Sequence, residues 1–135
     1  MAGCGIARIE EVESVDGPGD SDWKPLRHHF GIRAFGLNAW IADHAGQELV
    51  EEHDEIDGNA GGHEEIYAIT RGRATFLVDG EKVEVPAGAI LHVADPKIVR
   101  SAIAEEPGTT VLCVGAEPGE AFEPSDWELR RVRGK

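Results

Sequence analysis

The stretch that decides the fold runs from residue 63 to residue 88 and reads HEEIYAITRGRATFLVDGEKVEVPAG. Its runs 65–70 and 74–78 are rich in β-branched and aromatic residues, which favour strands. Asp79-Gly80 is typical of a tight hairpin turn, and Pro86-Ala87-Gly88 closes a third run with a second turn. The stretch therefore predicts short antiparallel strands joined by tight turns.

The same pattern continues on both sides of this stretch. It predicts further strands over residues 29–35, 37–42, 49–56, 89–93, 98–104 and 109–115. Short strands with a turn about every eight to ten residues are typical of an all-β barrel or sandwich. We therefore predict a barrel over residues 23–116. A flexible or loosely attached arm over 1–22 precedes it, and a tail over 117–135 packs on it and then frays.

Charge and composition limit the classes of partner. The 135 residues carry 26 acidic side chains against 13 Lys and Arg, a formal charge of −13. Such a chain repels phosphate, so we expect no nucleic-acid partner, no membrane partner and good solubility. Cys4 and Cys113 do not form a plausible bridge, and no signal peptide or apolar span is visible. These observations favour a cytoplasmic protein.

Two His–Glu pairs point to a site. His53 and Glu55 are two residues apart, and so are His63 and Glu65. Side chains two residues apart in a strand point to the same face. If that face lines the barrel, two imidazoles and two carboxylates converge in the lumen, where they could hold a metal or transfer protons.

The glycine and proline framework resembles that of the cupin superfamily across about residues 25–116. Glu65 and Gly72 match the second half of the first cupin motif, and Gly80, Pro86 and Gly88 match the second motif. The resemblance implies an antiparallel double-stranded β-helix, or jelly roll. The chain also resembles small, uncharacterised actinobacterial-type cupins, which share the His-Glu-Glu strand and a Phe-Glu-Pro-Ser-x-Trp tail, here residues 122–127.

The resemblance also implies a metal site with an incomplete ligand set. Cupins bind Fe, Mn, Ni or Zn through three His and one Glu. Here Glu65 takes the acidic position and His53 the first His position, while Glu55 stands where a second His is expected. His63 is a possible substitute, and His92 stands one place after the third His position. A divalent metal on His53, Glu55, His63 and Glu65, or no metal at all, are the open alternatives.

Three functions are compatible with these residues. The first is a small-molecule enzyme of isomerase or cyclase type, metal-assisted or not, in which His53 or His63 is the base or a ligand. Glu65 is then a ligand or the acid–base partner, and Arg100 anchors a carboxylate or enolate oxygen of an anionic ligand. The second is a metal-free binding or sensing module in which Arg100 pairs with Glu65, and the third is a purely structural barrel.

Other residues would shape the lumen and the assembly. We expect Trp40, Tyr67 and His92 to line the lumen. The glycine-rich loop over 57–62 is a candidate lid. Unpaired edge strands favour a homodimer.

Overall fold

Within residues 2–56 and 61–133, which the computed structural model describes, nine strands and two helices follow in the order below. The strands are β1 Asp22–Lys24, β2 Gly36–Ile41, β3 Glu48–His53, β4 Glu64–Arg71, β5 Arg73–Val78, β6 Glu81–Pro86, β7 Ile90–Val93, β8 Arg100–Ala104 and β9 Thr110–Ala116. The helices are α1 Leu26–Phe30 and α2 Asp126–Val132, and a single 3-10 turn spans Ile9–Glu11.

The strands form two antiparallel sheets. One has the order β1-β2-β9-β4-β7 and the other the order β3-β8-β5-β6. Apolar side chains of both sheets meet between them, where Tyr67 of β4 packs on Phe76 of β5 with ring centroids 5.4 Å apart. The predicted all-β antiparallel barrel is confirmed, and its strands from residue 64 to residue 116 lie within two residues of the predicted limits.

The strand predicted over residues 29–35 is wrong. Residues Leu26–Phe30 form α1 instead, and Gly31 ends the helix in the left-handed conformation at φ 70°. A left-handed residue after the last turn is a common helix end, and glycine adopts it without steric cost. Helix α1 buries only Leu26, and residues 31–35 after it form no strand and bury no side chain.

The tail contains a helix that the sequence analysis did not assign. Residues Asp126–Val132 form α2, which buries Glu128 and Val132 on the barrel. Trp127 lies against Trp23 with ring centroids 5.3 Å apart.

Hydrogen bonds attach the N-terminal arm to the barrel. Lys24 Nζ donates to the backbone oxygen of Val12 at 2.7 Å and to Ser14 Oγ at 2.9 Å. Val12 is only 4% exposed, so the arm buries apolar surface as well. An arm held in this way covers the edge of the sheet that begins at β1.

In the described ranges, no helix is long and apolar enough to span a membrane. Four residues of the candidate lid, 57–60, lie outside the described residues.

Candidate functional site

A cavity of about 280 Å³ opens at one end of the barrel. Side chains of β2, β3, β4 and β9 form its wall, and the tail with α2 forms its rim. Its aromatic lining consists of Trp40, Tyr67, Phe122 and Trp127. Its titratable lining includes His53, Glu55, His63, Glu65 and Cys113.

A β-bulge in β3 turns His53 into this cavity. Val50 pairs with Ala102 and His53 pairs with Arg100, so three steps along β3 match two steps along β8. The extra residue resets the alternation, and both Val50 and His53 face inward. The intervening Glu51 and Glu52 are exposed.

The His53 ring is held by two acceptors. Its Nδ1 donates to the backbone oxygen of Glu51 at 2.6 Å, because a carbonyl only accepts. This leaves Nε2 facing the cavity, 3.0 Å from Glu55 Oε2. A backbone bond at one ring nitrogen commonly orients the other for a metal or a proton.

Glu65 projects from β4 into the same space. Tyr67 Oη donates to Glu65 Oε1 at 2.6 Å, and Cys113 Sγ donates to Oε2 at 3.3 Å. A Cβ at Gly115, its neighbour on β9, would lie 2.8 Å from Glu65 Cγ. The glycine therefore provides the room that the Glu65 side chain occupies.

One ligand atom from each of His53, Glu55 and Glu65 lies within 4.8 Å of the others. His63 lines the cavity beside this group, with Nδ1 3.6 Å from Glu55 Oε1 and its ring 5.4 Å from that of Phe122. The structure thus brings four of the predicted site residues to one place. Three of them form a compact donor set, and His63 stands next to it.

Burial and charge perturb the site's protonation. Burial and the charge of Glu55 raise the pKa of Glu65 above its ordinary value, although Tyr67, His53 and Arg100 oppose the rise. Burial lowers the pKa of His53, but its bonds to Glu55 and Glu51 and the nearby carboxylates outweigh that effect, so the pKa lies above its usual range. Both groups therefore hold a proton to higher pH than usual.

Two further side chains around Glu65 are kept neutral. Burial, followed by the charge of Glu65, raises the pKa of Tyr67 and that of Cys113 well above their ordinary values. Tyr67 and Cys113 are therefore hydrogen-bond donors at neutral pH.

Arg100 lies deeper than the cavity. It is fully buried, does not line the cavity, and its three guanidinium nitrogens have no hydrogen-bond partner among the described residues. Its charge nevertheless lowers the pKa of Glu65 and of Tyr67. It contributes a fixed positive charge beneath the carboxylates.

The prediction that His92 lines the lumen is wrong. His92 pairs with Ile66 across β7 and β4, and its exposed ring bonds to Glu64 on the outer face. Because side chains alternate along a strand, the register that points Glu65 and Tyr67 inward turns Glu64 and His92 outward. Trp40 and Tyr67, by contrast, line the cavity as expected.

Sequence reasoning missed the part of the site built by the tail. Phe122, Trp127, Arg130 and Arg131 all line the cavity. A signal for the helix was present, because Ser125 precedes α2 and Glu128 follows three residues later, the spacing of a capping box. Glu128 instead pairs with Arg27, 101 residues away in sequence.

The donor set fits a divalent metal. One imidazole and two carboxylates are the donors that Mn, Fe and Zn accept, and His53 already has a bond that orients its ring. A cation would also relieve the repulsion that raises the pKa of Glu65. His53, Glu55 and Glu65 are therefore the residues that would hold it.

No protein-family model and no curated protein matches the sequence. Solved structures match its fold. A cupin protein from Bacteroides fragilis has a TM-score of 0.65 at 22% identity and covers 93% of this chain and 96% of its own. KdgF from a Halomonas species has a TM-score of 0.62 at 18% identity, covering 91% and 97%.

A sugar phosphate isomerase of the cupin superfamily from Silicibacter pomeroyi has a TM-score of 0.65 at 15% identity, covering 82% of this chain and 74% of its own. At these identities the likeness concerns the fold. Together with the two sheets and the glycine framework, it shows that this chain has the double-stranded β-helix fold of the cupin superfamily.

Proposed function

We propose that the lumen is the active site of a small-molecule enzyme that moves protons on a carbonyl-containing substrate, assisted by a divalent metal on His53, Glu55 and Glu65. The observation that carries the proposal is the convergence of these three donors within 4.8 Å at a cavity. The donors come from two segments, the end of β3 with the residues that follow it and strand β4, and keeping two carboxylates together in a buried site costs electrostatic energy.

The metal, when bound, would polarise a substrate carbonyl as a Lewis acid. The chain itself supplies the proton donors and acceptors around it. Tyr67 keeps its proton and presents a hydroxyl 2.6 Å from Glu65 and 3.5 Å from His53 Nε2. His63 is the remaining base beside Glu55. Proton removal next to a carbonyl and its return to a neighbouring atom give isomerase- or cyclase-type chemistry.

A second function has one observation in its favour. Arg100 places a buried positive charge beneath the carboxylates, and such a charge opposes a cation. A metal-free binding or sensing module would use Arg100 to balance Glu65. A measurement of metal binding distinguishes the two proposed functions.

The test is metal content after loading. Protein purified without a histidine tag is incubated with Mn²⁺, Fe²⁺, Ni²⁺ or Zn²⁺, passed over a desalting column and analysed. The proposal predicts about one ion per chain for at least one metal, and its loss in His53→Ala and Glu65→Gln. His92→Ala and Glu64→Gln are matched controls, because they remove a His–Glu pair on the outer face of neighbouring strands.

Catalysis needs its own readout. Small ketones and aldehydes are incubated in D₂O with the wild type or with Glu65→Gln, and the exchange of the hydrogens next to their carbonyl groups is measured. At least one compound should exchange faster with the wild type. Metal retained in every variant, or no metal in the wild type, would contradict the metal-assisted function. Metal without any exchange would favour binding over catalysis.

A further inference from the structure

The cavity has an uneven charge layout from floor to rim. Its polar lining contains Glu55, Glu65 and two histidines, and Glu51 of β3 and Asp54 after it add two more carboxylates. Among the described lining residues, the only arginines or lysines are Arg130 and Arg131, both on α2. In a chain with a formal charge of −13, two cations at the rim of an acidic cavity are unexpected.

The two arginines stand on an anchored helix. The largely buried pair of Arg27 and Glu128 ties α2 to α1, and Trp127 packs on Trp23 of β1. Arg131 folds over Trp127, with its guanidinium carbon 5.6 Å from the ring centroid and Nη1 donating to the Trp127 backbone oxygen at 3.1 Å. A guanidinium held in this way loses less entropy when it binds an anion.

Arg130 is the freer of the two. It is exposed, lines the cavity, and has no hydrogen bond or ion pair with the described residues. Its donors are thus available to a group entering the mouth. The cavity lining also includes the aromatic side chains of Trp40, Phe122 and Trp127, which offer an apolar surface to a ligand.

We propose that the ligand is a small organic anion with an apolar body, which binds with its carboxylate or phosphate at Arg130 and Arg131. Its uncharged, reacting end then points toward His53 and Glu65. In the metal-free protein Glu55 and Glu65 repel an anion from the floor of the cavity, and with or without metal Arg130 and Arg131 attract it to the rim. The inference rests on the proposed function of the lumen and adds the charge class and the orientation of the ligand.

Three probes with the same phenyl-terminated three-carbon body and different charge test the proposal: 3-phenylpropanoate, 3-phenylpropanamide and 3-phenylpropylamine. Binding to the purified protein is followed by NMR at the three indole N–H signals. Trp40 and Trp127 line the cavity and report on it directly, while Trp23 does not line it but packs on Trp127, so its signal should shift less than theirs. We expect millimolar binding of the carboxylate, about tenfold tighter than the amide, with the amine weakest.

Arginine variants identify the residues that cause the preference for the carboxylate over the amide. Arg130→Gln and Arg131→Gln should each weaken the carboxylate about three- to fivefold and leave the amide unchanged. Arg131→Lys should retain most of the effect, and Arg133→Gln, on the same segment but outside the lining, should retain all of it. Raising the salt concentration should shrink the gap between carboxylate and amide.

Equal binding of the three probes, preference for the amine, or no carboxylate binding at millimolar concentration would overturn the inference. So would an equal loss in Arg133→Gln. The proposed function has a separate readout, because metal bound through His53 and Glu65 does not depend on the rim. Metal loading with no charge preference would therefore reject the rim site alone, and a charge preference without metal would reject the metal centre alone.

Discussion

Replacing Glu65 with Gln should make the metal-free protein more stable at neutral pH. The exchange keeps the shape of the side chain and an oxygen that accepts from Tyr67, and it removes one of two neighbouring negative charges. The ligand atoms of Glu55 and Glu65 lie within 4.8 Å. At that separation and an effective dielectric constant of about 20, two unit charges repel by about 3.5 kcal/mol.

The positive charges of His53 and Arg100 offset part of this repulsion. We therefore expect Glu65→Gln to raise the free energy of unfolding by about 1–2 kcal/mol and the melting temperature by about 4–8 °C. The gain depends on pH. Because the folded-state pKa of Glu65 lies above its ordinary value of 4.5, the cost of ionising it is absent below 4.5, grows as pH rises from 4.5 to the raised pKa, and is complete above the raised pKa.

The assay is urea unfolding in EDTA from pH 4 to pH 8, with Glu64→Gln as the control on the outer face of the same strand. The increase in the free energy of unfolding of Glu65→Gln should be near zero at pH 4 and complete at pH 8. The free energy of unfolding of the control should change little. A variant that is less stable than wild type at every pH, or a gain independent of pH, would refute the repulsion between the carboxylates. Saturating metal should reverse the sign, because only the wild type then gains binding energy.

Three further changes test the site's surroundings. Gly115→Ala should lower stability by about 1–3 kcal/mol and abolish metal retention, because the new Cβ would lie 2.8 Å from Glu65 Cγ; unchanged retention would show that Glu65 needs no such room. Arg100→Met should tighten Mn²⁺ binding about tenfold in calorimetry by removing a positive charge near Glu65, and weaker binding would contradict this. A thiol reagent at pH 8 should label the exposed Cys4 at once and Cys113 only after unfolding, since burial raises the pKa of Cys113; rapid labelling of both would show that the cavity floor is open.

The strands around the second half of the barrel could be predicted because local signals agree there. Asp79 adopts φ 50° and Gly80 φ 86°, the left-handed conformations that an Asp-Gly hairpin turn requires. In the segment 29–35, alternation alone carried the prediction, and a helix closed by Gly31 formed instead. Local patterns therefore predict an element best where turn chemistry and periodicity point to the same structure.

The candidate site residues reach the cavity for partly different reasons. His53 faces inward because of a bulge in β3, and no residue in the sequence marks that bulge. Glu55 follows β3 and is held by backbone bonds to residues 62 and 96, so strand alternation does not orient it. Only Glu65 obeys the alternation on which the prediction depended.

The remaining parts of the site depend on long-range contacts. Arg130 and Arg131 reach the cavity because α2 docks through Glu128 on Arg27, and a sequence does not reveal a partner 101 residues away. His92 was assigned to the lumen although it stands one residue after the third His position of the motif. In a strand, one residue decides which face of the sheet a side chain points to. The homodimer, the cytoplasmic location and the lid over 57–62 stay predictions.

Anomalous diffraction from a crystal soaked in Mn²⁺ tests the central claim most directly. We expect one strong peak within bonding distance of His53 Nε2 and of carboxylate oxygens of Glu55 and Glu65. A peak at the outer His92–Glu64 pair only, or no peak in the lumen at saturating Mn²⁺, would contradict it.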